Sequence, residues 1–137
     1  MIVVLDTNVV IAALVANGLC REVLHRTIRL RVLATSDALL DELEATLRDK
    51  FDLTPSVAAF LDPFRASVRV VEPKPLPAPV CRDRTDDVVL ATAVAAEAEA
   101  IVTADQDLLV LGSYGGISIT SPRSFLERLD GPVPRFL

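Results

Sequence analysis

Asp6 directly follows a run of four apolar residues, and this junction strongly constrains the possible fold. Residues 2–5 (IVVL) are all apolar and do not alternate with polar residues. This pattern predicts a strand buried on both faces, as at the centre of a parallel sheet. Ligands of open α/β sheets bind beyond the carboxyl ends of central strands, where Asp6 lies. Asp6 is equally a good N-cap for the helix predicted over residues 9–14. A functional carboxylate and a helix cap are both open interpretations here.

Helices and strands alternate along the rest of the chain, which predicts an α/β fold. Further strands are predicted at residues 31–35, 68–71, 101–103 and 117–120, and the strand at residues 68–71 is expected at the sheet edge. Ser36 is expected to cap a helix with an apolar stripe of Leu39, Leu40, Leu43 and Leu47. Glu42 and Glu44 lie on opposite shoulders of this stripe, so either carboxylate could reach inward. All 137 residues are expected to form one domain.

Two further groups of acids occur where strands end or helices begin. Asp105 and Asp107 follow the predicted strand 101–103, and Asp83, Asp86 and Asp87 precede or open a helix predicted over residues 88–98. Capping of that helix is an alternative role for Asp83 or Asp86. Carboxylates gathered about 4 Å apart repel by roughly 4 kcal/mol per ionised pair at an effective dielectric near 20. Mg²⁺ or Mn²⁺ would relieve this repulsion and pair carboxylates with phosphate oxygens, which favours phosphodiester hydrolysis.

Composition narrows the classes of protein that remain. Cys20 and Cys81 lack CxxC spacing and His25 is the only histidine, which excludes a Cys/His zinc site. The formal charge of −5 argues against a generally basic nucleic-acid binder. Arg82 and Arg84 flank the acidic run, however, and arginine suits phosphate. No apolar run is long enough for a membrane span, and no signal peptide is apparent, so a cytoplasmic protein without membrane contact is expected.

Five motifs together resemble those of the PIN-domain nucleases, and within that family the VapC-like toxins of toxin–antitoxin pairs. They are residues 5–9 (LDTNV), 40–43 (LDEL), 87–91 (DVVLA), 103–108 (TADQDL) and 122–126 (PRSFL). The resemblance spans nearly the whole chain. It implies a three-layer fold of one PIN domain over residues 1–137, with a five-stranded parallel sheet in the order 3-2-1-4-5 flanked by helices. That order brings the first and fourth strands together at the topological switch point.

The resemblance also implies which residues act. It gives a catalytic quartet of Asp6, Glu42, Asp87 and Asp105. Of these, it implies metal ligation by Asp6, Asp87 and Asp105, with Glu42, Asp83, Asp86 and Asp107 as further candidate ligands. Thr7, Asn8 and Thr103 would support the quartet, and we expect Arg82 and Arg84 to contact RNA.

The implied activity is that of an endoribonuclease dependent on Mg²⁺ or Mn²⁺. Its products would carry 5′-phosphate and 3′-hydroxyl ends, and its expected substrate is single-stranded or looped RNA. The resemblance further implies an antitoxin as a protein partner and commonly a homodimer.

Two other functions compete with this interpretation. A catalytically silent PIN-like domain could bind RNA or a protein partner without cutting. In a phosphatase of the aspartyl-phosphate type, Asp6 would be the nucleophile. Two features oppose the phosphatase: Asn8 stands where such enzymes carry a second acid, and Lys50 and Lys74 are poorly placed in the sequence to bind phosphate.

Overall fold

A computed structural model of the protein describes residues 1–51 and 55–130. Its strands in the described residues are β1 (Val3–Leu5), β2 (Leu33–Ser36), β3 (Arg69–Val71), β4 (Ala100–Val102), β5 (Ser113–Tyr114) and β6 (Ile117–Thr120). Its helices are α1 (Thr7–Val15), α2 (Leu19–Arg29), α3 (Asp37–Lys50), α4 (Pro55–Ser67), α5 (Arg84–Ala95), α6 (Gln106–Leu109) and α7 (Pro122–Asp130).

The strands form one sheet in the order β3-β2-β1-β4-β6-β5. β1 pairs in parallel with β2 and with β4, and β3 and β6 extend the sheet in parallel on either side. β3 lies at one edge, as the sequence predicts. With β6 as the fifth predicted strand, the order 3-2-1-4-5 is confirmed, and the α/β fold with β1 at its centre is confirmed with it.

The sheet has one strand more than predicted among the described residues, and it is mixed rather than wholly parallel. β5 pairs antiparallel with β6 through Ser113–Ser118 and Tyr114–Ile117. Gly115 and Gly116 connect the two strands with φ values of +55° and +83°. Positive φ at both central residues is the requirement of the two-residue turn that matches strand twist, and glycine meets it without strain. A short β-hairpin of β5 and β6 therefore forms this edge of the sheet.

Helices bury both faces of the sheet. Val3 and Leu5 belong to one core cluster and Val4 to the other, and all three are at most 4% exposed. Successive side chains of a strand point to opposite faces, so β1 is covered on both. The predicted stripe of α3 is confirmed, because all four of its leucines are buried. Ser36 caps this helix as predicted, accepting a hydrogen bond from the Leu39 amide at 3.4 Å.

In the part of the chain that the structure describes, no single helix has the length and apolar composition needed to cross a membrane. α1 and α2 meet those two criteria only as a pair, and that pair is bent by 108°.

Candidate active site

The carboxyl ends of β1 and β4 bring Asp6 and Thr103 into contact. Leu5 lies opposite Val102 in the parallel pair, so the residues that follow each strand are neighbours. Thr103 Oγ1 donates a 2.7 Å hydrogen bond to Asp6 Oδ2 and accepts one of 3.0 Å from the Asp105 amide. Asp6 is 7% exposed and Thr103 is fully buried. Thr103 thereby fixes the Asp6 carboxylate and the backbone that carries Asp105.

Asp6 occupies the N-cap position of α1, but its side chain makes no capping hydrogen bond to the described residues of this helix. Its carboxylate accepts instead from the Thr103 hydroxyl. The structure therefore favours a site role over a capping role for Asp6. Asp83 behaves in the opposite way, because its Oδ1 accepts from the Thr85 amide at 2.9 Å at the start of α5. The capping interpretation is confirmed for Asp83.

An open cleft of about 510 Å³ lies beyond the ends of β1 and β4. Five carboxylates line it, together with Thr7, Asn8 and Thr85: those of Asp6, Glu42, Asp83, Asp86 and Asp105. Sequence reasoning left Glu42 and Glu44 as alternatives, and Glu42 is the one at the cleft. Thr7 Oγ1 donates to Glu42 Oε2 at 3.3 Å, whereas Glu44 pairs with Arg48 at 2.9 Å on the outer face of α3.

The carboxylate of Asp87 lies away from this cleft. Asp87 Oδ1 accepts from the Cys81 amide at 2.8 Å and Oδ2 from the Val80 amide at 3.2 Å. These bonds tie the end of the proline-rich connector (residues 72–79) to α5. Asp86, which is 6% exposed, lines the cleft where the resemblance implied Asp87.

The rotation of α5 explains this difference between the implied quartet and the structure. Consecutive helical residues are about 100° apart around the axis, so Asp86 and Asp87 cannot face the same side. Asp86 shares the buried side of α5 with Val89, Leu90 and Ala93. This spacing of i, i+3, i+4 and i+7 is visible in the sequence, and it favours Asp86 over Asp87 as the residue on the buried side.

Asp107 and Arg82 lie beside the cleft. Carboxylate oxygens of Asp86, Asp105 and Asp107 come within 4.8 Å of one another, which makes this trio a possible metal site. Arg82 Nη2 donates to Asp107 Oδ1 at 3.0 Å, and the Arg82 side chain is 88% exposed. Arg82 and Arg84 line a neighbouring groove with Asp87 rather than the cleft itself.

Burial and the charges of neighbouring carboxylates raise the pKa values of three cleft carboxyls, Asp6, Glu42 and Asp86. Burial, followed by the charge and hydrogen bond of Asp105 and then the charge of Asp6, raises the pKa of Asp86 to about 7. Burial also raises the pKa of Asp6, partly offset by the Thr103 hydrogen bond. Burial and then the Asp6 charge raise the pKa of Glu42. The exposed Asp83 differs, because hydrogen bonds from Thr85 lower its pKa.

This donor set fits a hard divalent cation. The acidic residues gathered at the cleft offer carboxylate oxygens, which Mg²⁺ and Mn²⁺ prefer. A bound cation would offset the repulsion that raises the pKa of Asp86. Asp86 and Asp105 are the cleft residues in the trio whose oxygens lie within 4.8 Å of one another, and the charge of Asp6 also acts on Asp86.

The far end of the cleft contains residues that sequence reasoning did not connect with the acids. Ile11, Ala12 and Val15 of α1 line it, as do Thr46 and Lys50 of α3 and Phe51 directly after that helix. Lys50, which the sequence alone places unfavourably for phosphate binding, is thus part of the same cleft.

A comparison with family models gives a match to the PIN domain over residues 2–107. The matched residues begin at β1 and include the five carboxylates of the cleft and Asp107. No curated protein matches the chain.

Proposed function

Because this chain belongs to the PIN-domain family, we propose that it is a metal-dependent endoribonuclease and the VapC-like toxin of a toxin–antitoxin pair. The observation that carries the nuclease proposal is the cleft where Asp6, Glu42, Asp86 and Asp105 meet. Buried carboxylates with raised pKa values are costly for the fold, and such residues cluster at functional sites. The toxin role rests on the sequence resemblance to VapC-like proteins.

In this proposal Asp6, Asp86 and Asp105 hold one or two Mg²⁺ or Mn²⁺ ions, and Asp107 is a further candidate ligand. When bound, such an ion lowers the pKa of a coordinated water and stabilises charge on the phosphate. Thr103 holds Asp6 in one orientation through its 2.7 Å hydrogen bond. Thr7 orients Glu42, whose raised pKa suits it to accept a proton from the attacking water.

The proposed substrate is single-stranded or looped RNA. Unpaired bases can be splayed apart, so that the phosphodiester reaches a site inside a cleft, whereas a regular duplex holds its bases stacked. Hydrolysis would leave 5′-phosphate and 3′-hydroxyl ends. We propose that the protein also binds an antitoxin and forms a homodimer, and that it acts in the cytoplasm.

Cleavage of single-stranded RNA by the purified protein tests the nuclease proposal. We expect cleavage with Mg²⁺ or Mn²⁺, none in chelator, and none by Asp6→Asn or Asp105→Asn. Asp49→Asn, an exposed carboxylate on α3 away from the cleft, is the matched control and should cleave normally. Undiminished cleavage by Asp6→Asn would refute the assignment. RNA binding without cleavage would support the silent PIN-like alternative, and hydrolysis of a phosphomonoester alone would support the phosphatase.

Growth of a bacterial host tests the toxin role separately. Expression of the wild type without a partner should slow growth, Asp6→Asn should not, and co-expression of the product of an adjacent small gene should restore growth. Normal growth at high yield of the wild-type protein would contradict the toxin role and leave the nuclease chemistry untouched.

A further inference from the structure

The cleft continues from the carboxylates along two helices. On each helix a set of side chains four residues apart lines it, because residues i, i+4 and i+8 share a side. On α1 these are Thr7, Ile11 and Val15, and on α3 they are Glu42, Thr46 and Lys50. Both rows begin at the hydrogen bond between Thr7 and Glu42. Eight residues of helix rise about 12 Å, so Val15 and Lys50 lie roughly that far from the acidic end. We call the end of the cleft formed by Ile11, Val15, Lys50 and Phe51 the outer track.

The outer track differs chemically from the acidic end. Val15 is 52% exposed and Phe51 is 38% exposed, so large apolar side chains face solvent on both sides of the track. Lys50 is exposed beside them, and it is the one cation among the described residues that line the cleft. Exposed apolar surface inside a cleft indicates a ligand, because it is costly to leave in water. A ligand for this end needs an apolar face and a negative charge.

We propose, on the basis of the proposed function, that the outer track binds an unpaired nucleotide of the RNA that flanks the cut phosphodiester. Phe51 stacks on its base, and the Lys50 ammonium contacts its phosphate. Aromatic stacking together with a nearby cation is how proteins hold single strands without reading their sequence. Lys50 also attracts the polyanion to a cleft whose other end is negatively charged. The track therefore orients the strand and favours unpaired over paired RNA, whose bases already have stacked neighbours.

Steady-state cleavage of a fluorescent single-stranded oligoribonucleotide in Mg²⁺ tests this proposal. We expect Phe51→Ala and Lys50→Ala each to raise KM by about 10-fold, the factor that corresponds to about 1.4 kcal/mol of lost binding. The kcat value should stay within about twofold, because neither residue touches the reacting atoms. Phe51→Trp should keep a normal KM, whereas Phe51→Leu, which is apolar but cannot stack, should resemble Phe51→Ala. Lys74→Ala, an exposed lysine on the connector, is the matched control and should leave KM unchanged.

Abasic substrates separate stacking from a general loss of structure. For the wild type, an oligonucleotide with one abasic position beside the cut site should have a higher KM than the intact oligonucleotide. For Phe51→Ala, the two oligonucleotides should have the same KM. A normal KM for both Phe51→Ala and Lys50→Ala would overturn the proposal. A normal KM combined with weakened binding of the antitoxin would also overturn it, because the track would then belong to the protein partner.

Equilibrium binding distinguishes failure of this inference from failure of the proposed function. Fluorescence anisotropy with the same oligonucleotide in Ca²⁺ measures binding without requiring cleavage. If the wild type binds but does not cut, and both track variants bind about 10-fold more weakly, the nuclease proposal fails and the track proposal stands. If the wild type cuts and the track variants bind and cut normally, the nuclease proposal stands and the track proposal fails.

Discussion

Asp86 and Asp87 are neighbours in the first turn of α5, and their carboxylates lie in different parts of the molecule. Asp86 is buried at the cleft, where burial and the charges of other carboxylates raise its pKa to about 7. Asp87 accepts hydrogen bonds from the amides of Val80 and Cys81 and so joins the connector to the helix. One carboxylate has like charges as neighbours, and the other has backbone donors. Two identical side chains are thereby given opposite roles by a rotation of about 100° around the helix axis.

Under the proposed function, Asp86 acts in catalysis and Asp87 acts in structure. Burial and the acidic neighbours of Asp86 disfavour its ionised form, and a bound cation would offset this. Asp87 accepts hydrogen bonds from two backbone amides at the end of the connector, which stabilises the fold. Substitution of Asp86 should therefore lower activity and raise stability without metal, whereas substitution of Asp87 should mainly lower stability.

Activity should show the largest difference between the two positions. We expect Asp86→Asn to lower the rate of RNA cleavage by about 1,000-fold, a loss typical for removal of one group that stabilises the transition state. Asp87→Asn should lower it by less than about 10-fold, since its carboxamide oxygen can still accept an amide hydrogen bond. Single-turnover cleavage in saturating Mg²⁺ measures both. Equal losses, or a larger loss at Asp87, would remove the distinction between the two residues.

Stability in chelator should show the opposite ranking. Two charges about 4 Å apart repel by about 4 kcal/mol at an effective dielectric of 20, and water in the open cleft reduces this value. We therefore expect Asp86→Asn to raise the free energy of unfolding by about 2 kcal/mol near pH 8 without metal. Excess Mg²⁺ should reverse this gain, because it binds the folded wild type more tightly than a variant that lacks a ligand. Denaturant unfolding with Asp87→Asn as the control measures the effect, and a metal-independent ranking would contradict it.

The pH dependence of stability sharpens the same comparison. The Asp86 pKa is raised from its ordinary value of 3.8 to about 7 in the folded state, so the folded state holds this proton more tightly than the unfolded chain. The resulting stabilisation is complete below about pH 4 and is lost as the pH rises through about 7. In chelator, the wild type should thus lose about 2 kcal/mol relative to Asp86→Asn over this range. Unfolding curves at several pH values measure the difference. A constant difference between the two proteins would argue against the repulsion.

Removal of the Asp87 carboxylate should weaken the fold by a smaller amount. Asp87→Ala leaves the amides of Val80 and Cys81 without this acceptor, so we expect a loss of about 1 kcal/mol in the free energy of unfolding. The loss should be the same with chelator and with Mg²⁺, because the Asp87 carboxylate bonds to backbone amides of the chain and not to a metal ion. Thermal unfolding under both conditions measures it. A loss that appears only with Mg²⁺ would instead make Asp87 a metal ligand.

The arginines beside these acids should give the smallest effect. Arg82 is paired with Asp107 yet 88% exposed, so water screens this ion pair and its loss should barely change stability. If Arg82 and Arg84 contact RNA phosphates, their double replacement by alanine should lower the slope of log affinity against log salt by about 1.4, or 0.7 per contact. RNA binding in Ca²⁺ at several salt concentrations measures the slope. An unchanged slope would remove both arginines from the interface.

Features that depend on local patterns were predictable from the sequence. The apolar run before Asp6 gave β1, its burial on both faces and the position of Asp6 at the carboxyl end of the sheet. The leucine stripe and Ser36 gave α3 and its cap. Each of these follows from neighbouring residues whose periodicity reports directly on burial.

Local sequence patterns did not settle features that depend on the orientation of a helix about its axis. Periodicity did not decide between Glu42 and Glu44; the resemblance selects Glu42, and Thr7 on another helix holds it at the cleft. The resemblance implies Asp87, whereas the spacing of Asp86 from the buried Val89 and Leu90 favours Asp86. The antiparallel β5 was missed even though the Gly115-Gly116 pair is a known hairpin turn. β5 has only two residues, which is too short to show the alternating pattern of a strand.

The hydrogen bond between Thr103 and Asp6 joins residues 97 positions apart, and this separation has a consequence for synthesis of the protein. At roughly 5 to 20 residues per second, a ribosome needs about 5 to 20 s to travel from β1 to β4. During that interval Asp6 exists without Thr103 or Asp105, so the cleft cannot assemble. The candidate active site is therefore one of the last parts of the chain to form. Translation that stops before β4 yields fragments that lack it.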